Sequence, residues 1–138
     1  MAALSHLQFI DPPNLPQPRG YTHVVAVAGP CRTIYVAGQV GLDAAGKLAG
    51  APGDFRAQAT QAFENLKNAL AAAGAGFEHV VKINTYFTDA AAHFAAYLDI
   101  RDRYVNTAQP PASTLVQVSR LAFDTLLFEI EAVAALPL

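Results

Sequence analysis

Glu129 and Glu131 are the residues of this sequence whose type and spacing point most directly to chemistry. They alternate with Phe128, Ile130 and Ala132, so a β-strand would turn both carboxyl groups to one face and the apolar side chains to the other. Leu127 and Val133 fall on the acidic face, which is therefore expected to be partly covered. A carboxyl group in such a place has a raised pKa and can give or take a proton. Ser113-Thr114 offers adjacent hydroxyls, but no Gly-x-Ser-x-Gly elbow accompanies them. His6, His23, His79 and His93 have neither triad nor metal-ligand spacing. Nucleophilic catalysis is set aside on that ground, and Ser113 is kept as a candidate ligand-binding residue. His23 follows Tyr21 by two positions, so alternation puts both on one face of a strand; a solvent-facing histidine is the simpler reading. Cys31 is the only cysteine, which excludes an intrachain disulfide and a cysteine metal cluster and fits a reducing compartment. Gly38-Gln39-Val40-Gly41 is not a phosphate cradle, because no helix start follows and no Lys-Ser/Thr pair is present.

The elements that must hold these residues follow from periodicity. Residues 1–20 contain Pro12, Pro13, Pro16 and Pro18. Proline fixes φ and removes a donor, so this segment is expected to be an extended arm. Thr22 to Ala28 and Thr33 to Ala37 are rich in β-branched and aromatic residues, and Gly29-Pro30 between them reads as the turn of a hairpin. A glycine-rich loop follows, with room for a short strand around Val40 to Leu42. Asp54 has the chemistry of an N-cap, and Phe55, Ala59, Ala62, Phe63, Leu66, Ala69, Leu70 and Ala73 recur at helical spacing up to Gly74. Val80 to Thr88 alternates as a strand, with Val81, Ile83, Thr85 and Phe87 on one face. Asp89 can cap a second helix over about Ala90 to Tyr104, with Phe94, Leu98 and Tyr104 turned inward. Pro110-Pro111 ends it. Thr114 to Ser119 and Thr125 to Ala134 read as final strands with Asp124 in the turn between. The expected order is β-β-α-β-α-β-β, a two-layer α+β domain.

The composition restricts the partners. Of 138 residues, only 14% are charged and 53% are hydrophobic, against about 25% charged in a typical soluble domain. That much apolar material in a small domain is expected to be buried against further copies of the chain. The net charge is −2 and the basic residues are scattered, so nucleic acid is not an expected partner. No stretch approaches a membrane helix and the N-terminus lacks the pattern of a signal peptide; a cytoplasmic protein is expected.

An ordered set of segments resembles the YjgF/RidA family, also described as endoribonuclease L-PSP-like. They are Tyr-Val-Ala-Gly-Gln at 35–39, Gln-Ala-Phe-Glu-Asn-Leu at 61–66, Ala-Ala-Gly at 72–74, Val-Lys-Ile-Asn-Thr-Tyr-Phe at 81–87, Pro-Ala-Ser-Thr at 111–114, Val-Ser-Arg-Leu at 118–121 and Phe-Glu-Ile-Glu-Ala at 128–132. The resemblance makes residues 21–138 a single domain behind the arm. It implies a chorismate-mutase-like fold and a homotrimer around a central β-barrel, with small-molecule clefts at the subunit boundaries. It implies hydrolysis of reactive enamines or imines to ketones and ammonia, with no metal or organic cofactor. Residue by residue, it places Glu129 as the acid that orients the hydrolytic water and Tyr21 as a wall of the cleft. Gly38 becomes a glycine approached by the ligand, and Thr114 a position whose backbone contributes to binding. The sequence departs from the pattern at Ser113, where deaminating relatives carry an arginine for the substrate carboxylate, and at Leu98, where asparagine is common. The implied ligand therefore depends less on a carboxylate clamp. A non-catalytic binding trimer is the alternative, and ribonuclease activity ranks last because the basic content is low and no histidine pair serves RNA cleavage.

Overall fold

A computed structural model describes residues 4–138. Its strands are β1 (Leu7–Ile10), β2 (Val24–Val27), β3 (Cys31–Val40), β4 (Val80–Phe87), β5 (Ala112–Gln117) and β6 (Phe128–Pro137); its helices are α1 (Phe55–Ala72) and α2 (Ala90–Arg101). The strands form a two-stranded sheet, β1-β2, and a four-stranded mixed sheet in the order β3-β6-β4-β5. β6 runs antiparallel to both neighbours, and β5 runs parallel to β4. Both helices lie on one side of the larger sheet, a two-layer α+β arrangement of the expected class.

Three local expectations are corrected. The arm contains a strand, β1, ahead of its prolines, so the order gains one strand. β2 pairs with β1, from Leu7 opposite Val27 to Ile10 opposite Val24. β3 pairs with β6 instead of forming a hairpin with β2. Leu7–Ile10 is free of proline and keeps its amide donors, which is what pairing requires. Gly29, at φ +81°, turns the chain out of one sheet and into the other. The last strand, expected from Thr125, lies between β3 and β4. It starts only at Phe128, since the amide of Leu127 is held by the Gln58 side chain rather than by a ladder.

The helices show why their boundaries were legible. The Asp54 carboxylate accepts from the Ala57 amide at 3.0 Å. At the other end the amides of Gly74 and Ala75 bond back to Ala71 and Leu70, with Gly74 at φ +80°. α1 buries Phe55, Ala59, Ala62, Phe63, Leu66 and Leu70, together with one polar residue, Gln58. α2 stops at Arg101, not Tyr104, and its buried stripe is Tyr97, Ile100 and Arg101, whereas Phe94 is 47% exposed. The stripe is rotated by about one residue from the expected one because the Tyr97 ring meets Phe87 and Phe128 beneath it, with Ile100 in the same core. Tyr104 still reaches the core from the turn after α2, stacking on Phe63 and donating to the Glu64 carboxylate at 2.7 Å.

Asp54→Ala removes the only side-chain cap of α1. It is expected to destabilise the fold by about 1 kcal/mol. Urea unfolding at fixed protein concentration checks this, as a lower midpoint with an unchanged slope.

Candidate functional site

The strand β6 alternates as its residues require. Phe128, Ile130, Ala132 and Ala134 are buried under the helices, while Glu129, Glu131 and Val133 face the other way. The facing registers define that second surface. Across the sheet, Val40, Glu129, Tyr86 and Val116 form one row, and Glu131, Asn84 and Thr114 form the next. Neither helix covers this side, and Tyr35, on the Val133 row, is 80% exposed.

Glu129 is half-buried. Burial, and after it the charge of Glu131, raise its carboxyl pKa above the ordinary value. Glu131 accepts a 2.5 Å bond from the Tyr86 hydroxyl. That bond, followed by burial, raises the pKa of Tyr86. The two acids are thus distinguished by their partners: Glu131 is engaged with Tyr86, while Glu129 makes no side-chain hydrogen bond among the described residues. Beside Glu129 the register of β3 shifts between Val36 and Gln39, an irregularity that re-aims the chain. Gly38 lies in that shift. A β-carbon there would run into the Glu129 carboxylate, 2.7 Å from Cδ, so only glycine leaves the carboxyl in place.

α1 holds both sides of this arrangement. The Gln58 amide donates to the Thr125 carbonyl and accepts from the Leu127 amide, each at 2.9 Å, which pins the entry to β6. Asn65 donates to the carbonyls of Val40 and Leu42 at 3.1 and 2.8 Å, fixing the exit of β3. Reading the sequence missed both. The available signal was a polar residue inside the apolar stripe, Gln58 beside Phe55 and Ala59.

The other expected site residues separate. Thr114 is on the Glu129 side, its hydroxyl accepting from Lys82 Nζ at 2.8 Å. Ser113 is the register partner of Ile83 and so turns toward the helices, half-buried. Thr22, the residue after Tyr21, bonds the carbonyls of Pro110 and Pro111. Tyr21 meets His23 edge-on, with centroids 5.3 Å apart, and His23 is tied to the Pro16 carbonyl at 2.7 Å. Within one chain, then, Gly38, Glu129 and Thr114 lie on one side of the sheet and Ser113 on the other. The remaining histidines have local partners: His6 with the Ala135 carbonyl, His79 with the Gly76 amide and His93 stacked on Phe55. Among the described residues no group of three or more His, Cys, Asp or Glu side chains is placed to hold a metal ion.

Comparison with known proteins gives a consistent picture. The model of the family described as Endoribonuclease L-PSP matches residues 14–136. The RutC family protein slr0709 of Synechocystis is 36% identical over 132 residues, which cover 95% of this chain and 98% of that one. A Dermatophagoides farinae protein named 2-iminobutanoate/2-iminopropanoate deaminase is 33% identical over 116 residues, 81% of this chain and 84% of its own. Among solved structures, YyfB of Yersinia pestis, a conserved Rid-family protein of unknown function, superposes with a TM-score of 0.86 at 36% identity, covering 95% of this chain and 99% of that one.

Gly38→Ala is expected to push the Glu129 carboxyl outward into solvent. Its NMR titration should then move down toward that of an ordinary glutamate; an unchanged titration would show that Gly38 does not set the position of the acid.

Proposed function

The chain belongs to the Endoribonuclease L-PSP family, whose relatives also carry the RutC, YjgF and RidA names, and from that premise we propose that it is a small-molecule hydrolase. It hydrolytically deaminates a reactive enamine or imine, or a related carbonyl compound, in clefts between the subunits of a homotrimer. The observation that carries this reading is Glu129: a half-buried carboxyl with a raised pKa and no competing side-chain partner, on a surface where Gly38 leaves room beside it. The relative named as an imino-acid deaminase supports the choice of reaction class.

The chemistry is balanced without a further reactant. Water adds to the carbon of the C=N bond as Glu129 takes its proton. That proton passes to nitrogen and leaves a carbinolamine; Glu129 then takes the proton of the new hydroxyl and delivers it to nitrogen, so that the C–N bond breaks as the C=O bond forms and a ketone and ammonia leave. A carboxyl group whose pKa lies closer to neutrality is better suited to both halves of that transfer, a contribution of about 100- to 10,000-fold in rate. Tyr21, Gly38, Ser113 and Thr114 line the substrate, and no metal or organic cofactor takes part.

The division of these residues between two surfaces supports a shared cleft, because a site using both sets draws them from different chains. An uncovered sheet face bearing Tyr35 and Val116, with β3 and β5 as unpaired edges, supports closure of three sheets into a barrel. No described helix is long and apolar enough to cross a membrane, and the protein is read as cytoplasmic. The second reading is a binding trimer without turnover. It is favoured by Ser113, which supplies no charge to a substrate.

Light scattering at micromolar concentration is expected to give about three times the 14.6 kDa of one chain; a stable monomer removes the shared cleft. Glu129→Gln keeps the shape of the side chain and removes the proton. It is expected to lose at least about 100-fold in turnover of imines generated in situ while remaining trimeric. Equal rates in the two proteins would take Glu129 out of the mechanism, and binding without turnover in both would favour the second reading.

A further inference from the structure

The two acids of β6 are not equivalent, and one hydroxyl makes the difference. Glu129 and Glu131 project from the same face of the strand, about 7 Å apart along the chain. Like charges at that range disfavour each other, so the pair ionises most easily one member at a time. The strands supply few other titratable groups to this face: Cys31 and Tyr35 from β3, Lys82 and Tyr86 from β4, and none from β5. Lys82 is the one cation among them. It is turned away from β6 toward β5, where Nζ donates to the Thr114 hydroxyl at 2.8 Å. Among the described residues neither acid forms an ion pair.

Tyr86 breaks the symmetry of the pair. It is the register partner of Glu129, yet its hydroxyl crosses diagonally and donates to Glu131 Oε1 at 2.5 Å. A donor bonded to a carboxylate stabilises its ionised form. The phenol stays a donor through the neutral range, because that bond to Glu131, and after it burial, raise its own pKa. Glu131 is thus the acid supplied with a donor. Glu129 is left with a negative neighbour and no side-chain hydrogen bond among the described residues.

We propose that Tyr86 is a positioning residue of the acid pair: by holding Glu131 as the standing anion, it leaves Glu129 as the member that exchanges protons with the substrate. The use of Glu129 on a substrate rests on the hydrolase reading; the division of the pair does not. Tyr86 itself touches neither the reacting carbon nor the nitrogen in this scheme and acts only through Glu131.

The test follows the side-chain carboxyl NMR signal of Glu129 through a pH titration of the intact protein. Tyr86→Phe removes the hydroxyl and keeps the ring, so the packing of β4 is retained. The proton is then shared between the two carboxyls, and Glu129 faces less standing charge. Its titration is expected to move down, toward that of an ordinary glutamate, and to spread into two steps. Glu131→Gln is expected to move it down as well. Adding Tyr86→Phe to Glu131→Gln is expected to change nothing further, because the hydroxyl acts only through the acid it bonds. In hydrolysis of imines generated in situ, the acid limb of the pH–rate profile of Tyr86→Phe is expected to follow Glu129 to lower pH. Its plateau is expected to fall about threefold or more as Glu129 becomes the weaker base. An unmoved Glu129 titration in Tyr86→Phe, an equal shift with and without Glu131→Gln, or an acid limb that stays in place would each overturn the proposal. An inactive wild type would overturn the hydrolase reading and, with it, the part of Tyr86 in turnover. An active wild type whose Glu129 titration ignores Tyr86→Phe overturns this proposal alone.

Discussion

The pleat of β6 is the constraint on which the rest of the molecule depends. A strand hydrogen-bonded on both sides cannot rotate one residue without exchanging its faces. Phe128, Ile130, Ala132 and Ala134 are bound to the core beneath α1 and α2. Glu129 and Glu131 are thereby committed to the far surface, where burying two carboxylates under the helices would have cost far more than the apolar contacts return. The acid of the proposed mechanism is thus placed by the hydrophobic residues on either side of it.

Two amides on α1 convert that pleat into a defined geometry. Gln58 is buried, yet both of its polar atoms are satisfied by the chain entering β6, and Asn65 does the same for the chain leaving β3. A polar side chain placed in a core and fully paired specifies register, because a slip would leave its donors and acceptor unanswered. Gly38 then needs only to lack a side chain for β3 to pass close to the Glu129 carboxyl.

The same sheet separates the other functional candidates. Ser113 and Thr114 are adjacent in sequence but belong to opposite faces, so one turns toward Tyr97 and Arg101 and the other toward Glu131 and Lys82. The helix side holds the buried Arg101 with its partner Asp102, and the uncovered face holds Glu129 and Glu131. An oligomer that covers the acidic surface would raise the desolvation of Glu129 further.

Much of this was legible from the residues alone, where the signal is local. The caps Asp54 and Asp89, the helical recurrence from Phe55 to Leu70 and the alternation of β4 and β6 are set by chain geometry within one turn or one pleat, and no tertiary contact was needed to read them. The family resemblance likewise rested on short ordered segments. What only the tertiary structure decided was pairing and aim. Nothing local reveals that β2 joins β1, or that β6 enters between β3 and β4. Strand partners are chosen by which edges remain open once the helices have packed. The inward stripe of α2 was misplaced by about one residue for the same reason: Phe94 and Tyr97 are both apolar enough to be buried, and the aromatic side chains of Phe87 and Phe128 below the helix selected Tyr97. Arg101 passed unnoticed because a buried cation is recognisable only once its surroundings are in place; in the sequence it is one more charge near the end of a helix.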